Sequence, residues 1–339
     1  MTKKVAIIGG GIAGMEAASV LSKMDIEVLL IEKKQQLGGH VNEWDHLFPD
    51  FRQASEITRS LITGLQNKNI KICANTQVEG ISRKAGKFEV KTSQNQNFKV
   101  DSILLSTGFE LFDARKKEEY GYGIYENVIT SADLEKKLKG SNVITLTSGK
   151  VPKRIAMIHC VGSRDEKSGC FHCSRVCCIT AVKQAIEIRQ KLPNAEIICF
   201  YMDLRMYGKG FEEVYREAQE KWGIQFIRGR LSEAGENIDG SLQIKSEDTL
   251  SGRPLKMNVD LLVLMIGMAP SESTTLMSKM LDIHLSKDGF IAHDDVQLEN
   301  NITNVTGIFT AGTVTAPMTI ADTIADARSA ALKIVEYIS

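Results

Sequence analysis

The chain lacks bulk charge. Its 42 lysines and arginines are matched by 42 aspartates and glutamates, so no net field draws it to nucleic acid or to an anionic membrane. It also lacks an apolar run long enough to span a bilayer. The opening MTKKVAIIGGGIAG puts lysines ahead of an apolar stretch, but that stretch is short and breaks at three glycines. No small-residue cleavage pattern follows, so export is not expected. With no export signal, the seven cysteines imply reduced thiols or metal ligands instead of disulfides. The expected location is the cytoplasm. No array of short repeats is present, which excludes a solenoid.

At 339 residues, 43% of them hydrophobic, the chain has room for two domains, each with its own core. Two strand–turn–helix–strand units, opening at Val5 and at Ile155, form a loose duplication. In the first, Val5 to Ile8 form a short apolar strand, and Gly9, Gly11 and Gly14 give a G-x-G-x-x-G turn into a helix that includes Ile12 and Ala13. The next strand, Glu27 to Glu32, ends in a carboxylate where one can bind adenosine ribose hydroxyls. Strand before, helix after and acid at the right distance make this a dinucleotide site, because the helix start offers N–H groups and positive dipole to a pyrophosphate.

Lys33 to His40 read KKQQLGGH. An acidic strand end followed shortly by Gly38-Gly39 resembles the FAD-binding flavoproteins with two dinucleotide folds. That resemblance places Lys33, Gly39 and the adenine-side Val78 near FAD. His40 is either a cofactor contact or a loop histidine. SILLSTG brings Thr107 and Gly108 to the flavin, GIFTAG brings Gly312, and the closing helix from Thr319, with Ile320 in its first turn, aims its positive end at the isoalloxazine ring. The aromatic stretch Asn42 to Phe51 is a flavin-covering loop or simple packing, and packing is the safer expectation. Gly, Ser, Lys and Pro between Lys139 and Lys153 suggest a boundary. The expected domains are 1–145 with 288–339 for FAD, and 146–287 for a degenerate NAD-like domain.

The second unit lacks what the first has. Only Gly162 follows its strand closely, and Asp165 and Glu166 stand where a pyrophosphate would be repelled, so neither NADH nor NADPH is expected to bind well. Five cysteines take the place instead: Cys160, Cys170, Cys173, Cys177 and Cys178. Cys170 and Cys173 form a C-x-x-C that fits a redox disulfide or half a zinc site. Soft thiolates suit zinc and an iron–sulfur cluster equally. A neighbouring flavin favours the cluster, since zinc carries no electrons. Cys73, on a strand, reads as a small buried apolar residue.

HCVGSRD, then C-x-x-C-S-x-x-C-C-x-x-x-x-K, then YMDLRMYGKGFEEVY resemble the flavin-bearing core of the heterodisulfide reductase family, that of its A subunit, over nearly the whole chain. The resemblance implies an α/β flavoprotein of the thioredoxin-reductase-like, two-dinucleotide-binding-domain kind, with an iron–sulfur insertion in place of the NAD(P) loop. It implies a [4Fe–4S] cluster on Cys160, Cys173, Cys177 and Cys178, with His172 a bystander and Cys170 a bystander or substitute ligand. Lys183 matches a lysine facing flavin N5, and Glu135 a carboxylate near it. No C-x-x-C-x-x-C motif is present, so the chain looks like the short version found in the heterodisulfide-reductase-like complexes of sulfur oxidisers. Its implied setting is a homodimer with further cluster-bearing subunits and a lipoate-binding protein.

Overall fold

A computed structural model describes residues 3–140 and 143–339. The chain divides into two compact units: residues 1–42, 55–110 and 269–339, and residues 43–54 with 111–268.

The first unit is built on a five-stranded parallel sheet in the order Ile308–Thr310, Ser102–Leu105, Lys4–Ile8, Glu27–Ile31, Ile70–Cys73. Its central strands read KVAII, EVLLI and SILL and are buried almost throughout. Such continuous apolar runs suit a parallel sheet covered on both faces. The helix Ile12–Lys23 links the first two strands and packs against the closing helix Ile320–Ile338. A separate antiparallel sheet, Val78–Lys84, Lys87–Thr92 and Asn97–Val100, follows the alternating pattern of the sequence.

The second unit repeats the plan. Its parallel sheet runs Val128–Thr130, Leu261–Ile266, Arg154–Val161, Glu196–Tyr201, Gln225–Arg228. The helices Ser131–Gly140, Cys177–Lys191 and Phe211–Glu220 belong to it, as does an antiparallel sheet of Leu231–Glu236, Leu242–Asp248 and Arg253–Val259. The division therefore differs from the expected boundaries at 145/146 and 287/288. Val128–Thr130 pairs in register with Leu262–Leu264 of the second sheet, which carries residues 111–145 into that unit. The Gly/Ser/Lys/Pro stretch after Lys139 is internal to it.

The aromatic stretch does pack. Residues 43–54 join the second unit, where the Phe48 ring meets Phe211 edge-on at 5.4 Å. The helix Ser131–Gly140 is capped by Thr130: Thr130 Oγ1 accepts from Asp133 N at 3.2 Å, and Asp133 Oδ2 accepts from Thr130 N at 3.0 Å. That reciprocal pair satisfies two donors at the helix start. Among the described residues no helix is long and apolar enough to cross a membrane.

Candidate cofactor cradle and cysteine cluster

The three fingerprint glycines of the first unit are needed for three different reasons. A Cβ on Gly9 (φ +112°) would overlap the Ser106 carbonyl, and one on Gly14 would overlap the Gly9 carbonyl. Gly9 therefore permits the tight turn and Gly14 the close approach of helix to strand. A Cβ on Gly11 would meet nothing within 4 Å; this glycine faces open space. Gly11 is also the N-cap of Ile12–Lys23 and offers no side-chain cap, so the first N–H groups, from Ile12 and Ala13 onward, look into that space with the helix dipole behind them.

Glu32 closes one side. It is buried, its Oε2 accepts from Gly10 N at 2.6 Å, and its Oε1 accepts from Lys34 N at 2.7 Å. Two backbone donors fix the carboxylate and leave lone pairs for ribose hydroxyls. Gly39 (φ +61°) lies so near that an added Cβ would meet the Gly11 Cα at 3.5 Å. Gly312 (φ +77°) donates its N–H to Asp326 at 2.6 Å, and a Cβ there would press on the Ala13 methyl at 2.8 Å. Ile320 opens the closing helix behind a Thr319–Asp322 capping box. Thr107 shares a hydroxyl–hydroxyl bond of 2.9 Å with Thr274, Gly108 has φ +72°, and Val78 is buried at the start of its strand. Lys33 reaches Ser273 at 3.1 Å on the surface. His40 is held structurally: its ring stacks on Phe109 at 4.5 Å, and its Nε2 lies 2.9 Å from the Phe109 carbonyl. An open space floored by Gly11 and flanked by uncapped helix N–H groups and an anchored carboxylate fits the pyrophosphate and ribose of FAD.

The corresponding turn of the second unit is closed. The strand ends at Val161 and the helix begins only at Cys177, against Ile8 and Ile12 in the first unit. Gly162 faces no open space; a Cβ there would run into the Phe112 ring. Ser163 and Ser174 share a 2.5 Å hydroxyl bond at the same turn. Asp165 does not repel an anion as the sequence suggested, because it is buried against Lys117 at 2.7 Å and Arg230 at 3.1 Å. Filled space, more than negative charge, separates this turn from a nucleotide cradle. Burial pushes the Asp165 carboxyl up, but Lys117 and then Arg230 outweigh it and hold the group below its usual range. Asp165 therefore contributes stability that is complete above about pH 4, the unfolded carboxyl value, and is lost as pH falls through the lower folded value. Urea unfolding between pH 6 and pH 2 is expected to show this loss, and Asp165→Asn to flatten it.

Into this closed turn the chain gathers thiols. All seven cysteines are free. The strand Arg154–Val161 shifts register between Ile158 and Val161 and carries Cys160 at φ +62°. A bulge with a non-glycine residue in the left-handed region re-aims side chains at a cost, as functional sites do. Cys160 N donates to Cys177 Sγ at 3.3 Å, and the two sulfurs are 3.9 Å apart. Cys177 and Cys178 open their helix behind Val176, which caps nothing, so the helix dipole favours thiolate there. The Cys177 thiol holds Cys160 below its ordinary value and, helped by His159, brings Cys178 down to about 4; Cys177 itself is raised and keeps its proton.

Cys173 is half-buried and apart from the tightest group. Its sulfur accepts from Arg175 N at 3.4 Å, and it shares with Cys160 the charge of Arg164. Cys170 sits in a hairpin with Asp165, its thiol directed at the Ser168 carbonyl at 3.7 Å. Sequence reasoning missed His159. Its imidazole is buried, neither ring nitrogen has a hydrogen-bond partner, and it lies within 4.8 Å of the Cys177 and Cys178 sulfurs. Its position beside Cys160 was the available signal. Cys73 is half-buried on its strand, its thiol raised by burial.

Lys183 and Glu135 come together. Lys183 is 2% exposed, and its Nζ donates to Glu135 Oε1 at 2.5 Å and to the His46 carbonyl at 3.0 Å. Gln184 Nε2 donates to the same Glu135 oxygen at 2.8 Å, and Asp45 N donates to the other at 3.1 Å.

The family model for pyridine nucleotide-disulphide oxidoreductases matches residues 1–133 and 179–331. The break between those blocks takes in all five clustered cysteines. The chain is 30% identical over 415 aligned positions to the A subunit of the H(2):CoB-CoM heterodisulfide,ferredoxin reductase of Methanothermobacter marburgensis, covering 97% of this chain and 63% of that one. It is 33% identical to an iron-sulfur A subunit of the CoB--CoM heterodisulfide reductase of Methanopyrus kandleri, covering 96% and 63%. The chain thus spans under two thirds of the length of these relatives. Among solved structures it resembles Lactococcus lactis thioredoxin reductase, with TM-score 0.70, 19% identity and 99% of each chain covered. It also resembles the T. acidophilum thioredoxin reductase, with TM-score 0.66, 18% identity and coverage of 99% and 100%. These agree with the expected two-dinucleotide-domain fold and with the likeness to the A subunit of heterodisulfide reductase. The chain belongs to the pyridine nucleotide-disulphide oxidoreductase family, as an oxidoreductase of the flavoprotein type.

Proposed function

We propose that the chain is an FAD- and [4Fe–4S]-bearing electron-transfer subunit of a heterodisulfide-reductase-like complex. The observation that carries this reading is the contrast between the two turns, one open over Gly11 and one closed by Phe112 and lined with thiols. Gly9, Gly11, Gly14 and Glu32 hold the pyrophosphate and ribose end of FAD. Cys160, Cys177 and Cys178, already gathered, supply three cluster ligands, and Cys173 is the fourth thiolate of the pattern. FAD supplies electron-pair chemistry that divides into single electrons, and the cluster carries single electrons to or from a partner. Lys183, paired with Glu135, is the cation that favours the reduced flavin.

The relatives' names speak of heterodisulfide and ferredoxin; here the primary disulfide or sulfur chemistry belongs to partner subunits carrying further clusters. A homodimeric core, a lipoate-binding protein as partner, a role in sulfur oxidation and a cytoplasmic setting complete the proposal. Anaerobic NADH or NADPH is expected to leave the flavin absorbance unchanged, whereas dithionite bleaches it. Rapid bleaching by NAD(P)H would favour a self-sufficient disulfide reductase using Cys170 and Cys173. One observation favours a second reading: ligand atoms of His159, Cys177 and Cys178 within 4.8 Å of one another suit a single tetrahedral ion, with Zn–S near 2.3 Å. Zinc without acid-labile sulfide in the purified protein would establish it.

A further inference from the structure

The second unit buries a lysine between two carboxylates and joins them to the surface through one histidine. Lys183 and Glu187 stand one turn apart on Cys177–Lys191, and Glu187 Oε2 lies 3.0 Å from Lys183 Nζ. The other oxygen, Oε1, lies 3.1 Å from His46 Nδ1. The side chains of Lys183 and Glu187 are 2% and 5% exposed, whereas that of His46 is 34% exposed. The groups facing Glu187 are Lys183 on its own helix, Glu135 on Ser131–Gly140, and His46 from the segment 43–54. Asp45 Oδ2 stands 3.2 Å from the same His46 nitrogen.

One ammonium cannot fully compensate two buried carboxylates. Burial pushes the Glu187 carboxyl above its usual range, Lys183 draws it back, and Glu135 adds to the rise. Glu187 Oε2 is buried and makes no aligned hydrogen bond despite the ammonium beside it. Such an oxygen has room to carry a proton of its own.

We propose that His46 and Glu187 form a proton path between solvent and Lys183. The proposal rests on the reading above, that Lys183 serves the reducible cofactor. When Lys183 gives up a proton to the group it serves, Glu187 in its acid form returns one: its Oε2–H bond breaks and an Nζ–H bond forms. As His46 Nε2 takes up a proton from water, its Nδ1 proton passes to Glu187 Oε1, and a turn of the ring returns a proton to Nδ1. A half-turn of the carboxyl resets the path, and no electrons move along it.

The test uses the FAD-loaded full chain. In infrared spectra followed through a pH titration, the wild type should show a carboxylic-acid C=O band that persists above the usual carboxyl range and that Glu187→Gln removes; spectra unchanged by the substitution would overturn the path. Proton uptake during photoreduction, followed with an indicator dye, should slow on the order of 10²-fold in Glu187→Gln and in His46→Ala, the lower end of what a positioned proton donor contributes. Added imidazole should restore His46→Ala and leave Glu187→Gln slow. Lys183→Met separates the two levels. Unchanged uptake there would overturn the reading of Lys183 itself. Slow uptake there with normal rates in both His46→Ala and Glu187→Gln would overturn the path alone.

Discussion

A Cys177→Ala variant is expected to purify with FAD bound and without iron. Cys177 is the centre of the thiol group: it accepts the Cys160 N–H, its sulfur is 3.9 Å from that of Cys160, and it lies within 4.8 Å of Cys178. Its helix start also lacks a side-chain cap. Alanine keeps the helix and removes one buried sulfur, a loss of about 1 kcal/mol in burial, so the fold should survive. The ligand count does not. Cys199 is the control. It is fully buried on the next strand, with its thiol pushed far up by burial, and Cys199→Ala should keep its iron. Iron, acid-labile sulfide and flavin assays on both variants decide the matter, and a full complement of iron in Cys177→Ala would refute the ligand assignment.

The second large effect is expected at Gly11. Its backbone, with φ −76° and ψ −167°, is ordinary extended geometry that any residue adopts, and a Cβ there touches nothing. Gly11→Val should therefore fold normally while its branched side chain fills the space meant for the pyrophosphate. FAD affinity is expected to fall about 10²-fold or more, roughly 2.7 kcal/mol. Gly14→Val makes the opposite contrast, because its Cβ would run into the Gly9 carbonyl. That variant should lose thermal stability even as the apoprotein. Equilibrium dialysis with FAD and apoprotein melting curves separate a blocked cofactor site from a damaged fold.

Much of this was legible in the sequence because local pattern and tertiary demand agree. Continuous apolar strands marked both sheets, and G-x-G-x-x-G between strand and helix marked the cradle with Glu32 in place. The cysteine spacing marked the second turn. What stayed hidden depends on contacts between residues far apart in the chain. Gly162 looked like a vestige of a nucleotide loop until Phe112, fifty positions earlier, proved to fill its space. Asp165 and Glu166 read as a repulsive pair, but the cationic partners of Asp165, buried Lys117 and exposed Arg230, come from distant elements. The stacking of His40 on Phe109, 69 positions later, could not be read from the sequence. Residues 43–54 sit between elements of the first unit in sequence, yet pack with the second. The i,i+4 spacing of Lys183 and Glu187 was readable; that His46 completes the chain to the surface was not.

Sulfur-bound iron is proposed to occupy the closed, thiol-lined turn of the second unit. Metal and sulfide analysis of anaerobically purified protein, with EPR before and after dithionite reduction, tests it most directly. Iron and acid-labile sulfide in equal amounts, with a cluster signal that appears on reduction beside one FAD per chain, is the expected result. Zinc in place of iron, or a yellow protein with neither sulfide nor signal, would contradict it.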